Sequence, residues 1–266
     1  MSAFEKTVNK PEDPVNKPEE NKLNNKFHLI DEKFKHIQVF VFCGGKCGST
    51  TLEKSLDPHY TTIHIHSNEF FQQWYKVYNY TIFDVMDYNA TIYDTIYIID
   101  SYRTPIERKI SSFFQNIKSI HMPDYETRKL RDIVTLFNSK PIMELEEYHP
   151  INDALLYYKQ AIFNTFDFNK KYNLLIYKNI HFIKVRFNDI SNWNKILSDI
   201  FKKQIIIHSE NISSTKKYAN IYNNFKKVYY LPPKYFNKLM LDTNFKIYNT
   251  LPEQQKYCNA WKAKIL

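Results

Sequence analysis

The chain has 266 residues, 43% of them apolar and 17% aromatic, enough to bury the core of one large α/β domain. Its 37 Lys and Arg against 28 Asp and Glu give a formal charge of +9, compatible with a nucleotide, an acidic glycan, an anionic membrane or a nucleic acid. The basic residues are scattered and no zinc-finger or RNA-binding aromatic signature appears, so nucleic acid is not an expected partner.

Residues 1–30 are polar, with three Pro among many Asn, Lys and Glu. They read as a disordered or loosely attached N-terminal arm ahead of a single domain over residues 31–266. The opening MSAFEKTVNKPEDP lacks the apolar stretch of a signal peptide. No apolar run reaches the roughly 18 residues of a spanning helix. A cytoplasmic protein without an integral membrane segment is expected.

The first strand is predicted at Ile37–Phe42, a run of β-branched and aromatic residues that stops at Cys43-Gly44-Gly45. From Ser49 the segment STTLEKSL reads as a helix start, hydroxyl residues first and Leu52 and Leu56 four apart. Further strands are predicted at Thr61–His66 and Thr95–Asp100. A helix follows from Pro105 to about Lys118, with proline suited to its first turn. Residues 152–170 read as helix, His181–Phe187 and Gln204–His208 as strands, and Trp193–Phe201 as a helix between them. This alternation implies an α/β three-layer sandwich around a central, mainly parallel sheet.

All three glycines of the chain, Gly44, Gly45 and Gly48, lie within five positions. Glycine permits positive φ and close approach to the main chain. A glycine turn from strand into helix presents backbone N–H groups and a helix dipole to an anion. The nucleoside-triphosphate P-loop puts Lys directly after its last Gly. Here Lys46 comes two residues before Gly48, and Ser49 takes the place of the Walker lysine. Cys43 and Cys47 flank the turn; with Cys258 they make no disulfide framework and point to a reducing compartment. Two thiols across a glycine turn are too few for a zinc site, and no metal is expected.

The order Lys46, Gly48, Ser49, Thr50 and Leu52 resembles the 5′-phosphosulfate loop of the sulfotransferase superfamily. A second stretch strengthens the resemblance: Arg103, Pro105, Arg108 and Ser111 fall on the family's R-x-P-x-x-R-x-x-S, where the first Arg and the Ser bind a 3′-phosphate. An Arg fork suits a phosphate on its own chemistry. Cytosolic small-molecule members carry Trp where this chain has Thr51, a departure that leans towards the carbohydrate-modifying branch. Phe187-Asn188-Asp189-Ile190 with Trp193 is similar to a late strand-loop-helix of that branch, and Glu210–Lys216 to a loop that closes over the nucleotide.

The resemblance implies a P-loop-like sulfotransferase fold. It also implies 3′-phosphoadenosine-5′-phosphosulfate (PAPS) as donor, 3′-phosphoadenosine-5′-phosphate (PAP) as product, and a glycan or glycoconjugate acceptor. Gly44, Gly45, Lys46, Cys47, Gly48, Ser49, Thr50, Thr51, Arg103, Arg108, Ser111 and Lys216 would hold the nucleotide, with Lys46 also stabilising charge on the leaving phosphate.

In-line sulfuryl transfer needs a base for the acceptor hydroxyl. His64 and His66 alternate on the second strand and so share a face, His66 nearer its C-terminal end. Similar His-x-His strands supply the base in uronosyl 2-O-sulfotransferases. His66 is the first candidate with His64 as support, Glu69 is the alternative, and two merely packed histidines remain open. A kinase with an atypical loop and a non-catalytic nucleotide-binding or scaffold protein are the competing functions.

Overall fold

The computed structural model describes residues 26–139, 148–208 and 216–265. Five strands, β1 Val39–Phe42, β2 Thr62–Ile65, β3 Ile96–Tyr102, β4 Tyr172–Tyr177 and β5 Ile180–Arg186, form one sheet in the order β2-β1-β3-β5-β4. Contacts β1–β2, β1–β3 and β3–β5 are parallel, and only β4 runs antiparallel.

The central strands are apolar on both faces because helices cover both. Phe40 and Phe42 join Ile63, Ile65, Ile96, Ile98 and Phe182 in one core layer. Three helices close that layer: α2 (Asn68–Tyr75) with Phe71, α3 (Ile82–Ile92) with Val85 and Met86, and, after α4 (Pro105–Gln115) and α5 (Leu130–Ser139), α6 (Pro150–Tyr157) with Ile151 and Leu155. Val39, Val41, Ile99, Ile183 and Val185 point the other way. They pack against Leu52 and Leu56 of α1 (Ser49–Leu56) and Trp193, Leu197 and Phe201 of α7 (Trp193–Phe201). The three-layer α/β arrangement expected from the alternation is thus present.

A third apolar cluster surrounds α4. Ile110, Phe113 and Phe114 meet α5, α8 (Ala219–Val228), α9 (Pro233–Leu241), α10 (Thr243–Ile247) and α11 (Leu251–Lys262) through Phe137, Phe225, Leu239, Phe245 and Trp261. Buried Arg186 fastens this layer to the sheet, with Nε on Asp189 at 2.6 Å and Nη1 on Glu253 of α11 at 2.8 Å. No helix among the described residues is long and apolar enough to cross a membrane.

The strand order reverses at β1, whose neighbours are β2 and β3. The connection β1→β2 leaves to one side and β2→β3 returns past it, which opens a crevice beyond the C-terminal ends of β1 and β3.

Several elements differ from the sequence reading. The helix expected over 152–170 is only α6, which ends at Tyr157; Lys159 then takes a left-handed φ of 55° and the chain turns away. Gln204–His208 is not a strand. Its amides at Ile205 and His208 bond the Ser198 and Ser55 hydroxyls, both at 2.9 Å, and it pairs with no strand among the described residues. The helix from Pro105 stops at Gln115 and widens into a π-type turn at Ile117–His121. β4 was not foreseen. It closes a hairpin onto β5 through Lys178-Asn179, with Lys178 at φ 52°.

Of the expected arm, residues 1–25 lie outside the described residues. Residues 26–30 rest on the core: Ile30 is buried and Phe27 meets Tyr88 edge-on.

Candidate anion-binding site

The turn at residues 43–48 leaves β1 at the crevice and enters α1. Its last residue, Gly48, caps the helix in the left-handed region at φ 87°, where a Cβ would also stand 2.9 Å from both Phe187 and Trp193. The other two glycines are there for other reasons. Behind Gly44, a Cβ would lie 2.5 Å from Arg108 Nη2, so this position admits the guanidinium. At Gly45 a Cβ would meet nothing within 4 Å, and the residue faces the cavity.

Lys46, not a glycine, holds the turn's other positive φ, 67°. A left-handed conformation costs a non-glycine residue about 1–2 kcal/mol. The first intrahelical bond of α1 runs from Leu52 N–H to Gly48 C=O at 3.0 Å. The N–H groups of Ser49 and Thr50 are therefore not used within the helix, and both residues line the cavity at the positive end of its dipole.

The cavity measures about 730 Å³, within the usual range for a ligand site. Gly45, Lys46, Gly48, Ser49, Thr50 and Thr51 form one wall and Arg103 and Ser111 a second, while His64 and His66 line the β2 side and Lys216 also lines the cavity. Arg103 follows β3, donates from Nη1 to Lys46 C=O at 2.9 Å, and lies 4.5 Å over the Phe187 ring. One hydrogen bond and one ring face thus fix its fork. Ser111, buried in the second turn of α4, reaches the same cavity. Burial, then repulsion from Arg103 and Lys216, lowers the Lys46 pKa. Three cations converging on one cavity make it a place where an anion is stabilised.

On the β2 side His66 Nδ1 lies 2.7 Å from Cys43 C=O, and only its N–H form can donate there, which leaves Nε2 with the free lone pair. Burial lowers the pKa of His66, with the Cys43 carbonyl opposing, so the ring is neutral at neutral pH and can accept a proton. The His64 ring stands edge-to-face against it at 4.6 Å, and Phe70 packs against it at 5.0 Å.

Four expected site residues do not line the cavity. Arg108 works from behind: its Nε donates to Gly45 C=O at 3.0 Å, so it braces the loop. Gly44 and Cys47 face the interior, Cys47 buried with Cys43 beneath the turn. Burial raises the Cys43 thiol pKa, and its hydrogen bond to Cys47 lowers that of the neighbour. Glu69 is exposed on α2 and does not line the cavity. The loop expected over Glu210–Lys216 lies outside the described residues except for Lys216.

The sequence reading also missed lining residues. Ser112, Gln115 and Asn116 extend the α4 wall past Ser111, and the four-residue spacing of Ser111 and Gln115 was the signal for a shared face. Phe187, Ile190 and Tyr218 complete it.

Beneath the site Lys184 of β5 and Asp100 of β3, each 1% exposed at the side chain, meet at 2.5 Å. Lys184 Nζ also lies 3.3 Å from His149 Nδ1. Burial works against the Lys184 charge, but Asp100 outweighs it and the pKa is raised. Burial and then Lys184 push His149 well below the ordinary histidine value, so it is neutral. No cluster of three or more His, Cys, Asp or Glu among the described residues could hold a metal ion.

The chain matches none of the protein-family models, curated proteins or solved structures with which it was compared.

Proposed function

We propose that the cavity binds a 3′-phosphoadenosine nucleotide and that the protein is a PAPS-dependent sulfotransferase acting on a hydroxyl of a glycan or glycoconjugate. The observation that carries this reading is the convergence of Lys46, Arg103 and Lys216, the α1 N-terminus and Ser111 on one cavity that a neutral histidine, His66, also lines. The open Cβ position at Gly45 fits the close approach of a phosphate to the main chain.

Ser49, Thr50 and the N–H groups of the turn would hold a 5′-phosphate, and Arg103 with Ser111 a 3′-phosphate. When bound, the donor supplies a sulfuryl group whose S–O bond breaks with its electron pair passing to the phosphate. Lys46 stabilises the charge gathering on that leaving oxygen, an electrostatic contribution made in a site already arranged for it. His66 Nε2 takes the proton of the acceptor hydroxyl as its oxygen bonds sulfur; the resulting imidazolium keeps its Nδ1–H on the Cys43 carbonyl. Arg108 holds the loop's shape, and Phe187 the plane of Arg103.

Incubation of the chain with radiolabelled PAPS and a panel of desulfated polysaccharides tests the activity. Label should enter at least one polysaccharide, with transfer falling about 100-fold or more in His66→Ala and in Lys46→Ala. Full transfer by His66→Ala at unchanged nucleotide affinity removes His66 as the base. Label that never leaves the nucleotide with any acceptor removes the enzyme reading.

A further inference from the structure

The proposed mechanism leaves one charged group beside the histidine pair unused. Glu53 sits on α1, one turn beyond the hydroxyls of the glycine turn, and its Oε2 lies 3.5 Å from His64 Nδ1. Both side chains are largely covered, His64 at 18% and Glu53 at 26% exposed. The other nitrogen of His64, Nε2, is buried and has no hydrogen-bond partner among the described residues, and His64 lines the cavity. The His64 ring in turn stands 4.6 Å from His66 at an interplanar angle of 87°. A chain of contacts therefore runs from the helix that starts at the anion site, through His64, to the ring with the free lone pair.

We propose that Glu53 is a positioning residue: its carboxylate holds His64 as the tautomer with hydrogen on Nδ1, and the ring so fixed sets the orientation of His66. This rests on the reading of His66 as the base of sulfuryl transfer. A carboxylate accepts and cannot donate, so it selects the Nδ1–H form of a neutral imidazole facing it. The same carboxylate–histidine logic orients the base in hydrolytic triads and the ligands of metal sites.

His64 holds the Glu53 carboxyl below its ordinary range, which keeps it anionic at neutral pH. Lys54 supports that charge from the same helix. His66 thus contacts the His64 ring held by Glu53, the Phe70 ring and the Cys43 carbonyl.

The experiment compares the full chain with Glu53→Ala and Glu53→Gln. Heteronuclear NMR of ring-labelled histidine, at mildly alkaline pH, reads which nitrogen of His64 carries hydrogen. Calorimetry with PAP reads the nucleotide site, and the transfer assay separates kcat from acceptor KM.

The wild-type chain is expected to show the Nδ1–H form of His64, and Glu53→Ala a mixed or reversed tautomer. PAP affinity should stay within about twofold, and kcat should fall about 10–100-fold with little change in KM. Glu53→Gln, which keeps an oxygen acceptor but can also turn its amide towards the ring, should fall between the two. An Nε2–H form in the wild type, or a tautomer indifferent to Glu53→Ala, overturns the proposal. So does a changed tautomer with kcat unaltered. If the tautomer responds but PAP fails to bind, the sulfotransferase reading falls and the Glu53–His64 pairing stands.

Discussion

Replacing Gly48 by alanine would place a methyl group where two aromatic rings already lie. The new Cβ would stand 2.9 Å from Phe187 Cδ2 and 2.9 Å from Trp193 Cη2. Neither ring can give way freely. Trp193 is fully buried with its indole N–H on Arg186 C=O at 3.0 Å, and Phe187 lies beneath the Arg103 guanidinium. The left-handed φ of 87° adds about 1–2 kcal/mol for any residue with a Cβ. Overpacking of the rings adds about 1–3 kcal/mol. The expected loss of folding stability is therefore about 2–5 kcal/mol, read by urea denaturation followed through tryptophan fluorescence.

Gly45→Ala is the matched comparison. Its Cβ meets nothing within 4 Å and its φ is not left-handed. Stability should stay within about 0.5 kcal/mol, while nucleotide affinity falls because the methyl occupies the cavity wall. A Gly48→Ala protein as stable as the parent would refute the close packing of the turn. A Gly45→Ala protein that unfolds like Gly48→Ala would refute the division between a structural and a ligand-facing glycine.

Other consequences are open to the same kinds of measurement. Lys184→Met alone leaves the Asp100 carboxylate buried without its cation and should cost about 3–5 kcal/mol; adding Asp100→Leu should recover most of it, and a single variant as stable as the parent would contradict the buried pair. His149 is held neutral in the fold with its pKa far below the ordinary 6.5. Below that pH the unfolded chain binds a proton that the folded chain refuses, so stability is full above about pH 6.5 and declines as the pH falls. His149→Gln should flatten this acid limb, and an unchanged limb would contradict the assignment. Lys202 caps α7 at φ 52°, and Lys202→Gly should raise stability by about 0.5–1 kcal/mol, the left-handed penalty less the added freedom of the unfolded chain; a loss would contradict it.

The parts of the fold that the sequence announced are those where apolar runs met strong punctuation. β1, α1, β2 and β3 are bounded by the glycine turn, by hydroxyl residues at a helix start or by Pro105, and the two candidate motifs fall at their junctions. Element ends were harder to read because this chain seldom stops a helix with glycine. Lys76 and Lys202 take the left-handed position at the ends of α2 and α7, Lys159 does so just past α6, and Lys178 does so in the β4–β5 hairpin. Lysine gives no stop signal, so α6 read as running on to residue 170 and β4 was hidden.

Gln204–His208 has strand composition, yet two serine hydroxyls satisfy its amides in place of a neighbouring strand. In the site, the spacing of Arg103, Arg108 and Ser111 placed all three near the turn. It could not tell that Arg108 enters from behind, because that depends on the missing side chain at Gly44. Glu53 carried no sequence signal; its role comes from α1 packing beside β2.

The nucleotide site is tested by calorimetric titration with PAP, set beside 5′-AMP and ATP and repeated on Arg103→Ala. PAP should bind at micromolar concentration, more tightly than ATP and through its 3′-phosphate, and this binding should collapse in the variant. Equal affinity for 5′-AMP, a preference for ATP, or binding indifferent to Arg103→Ala would contradict it.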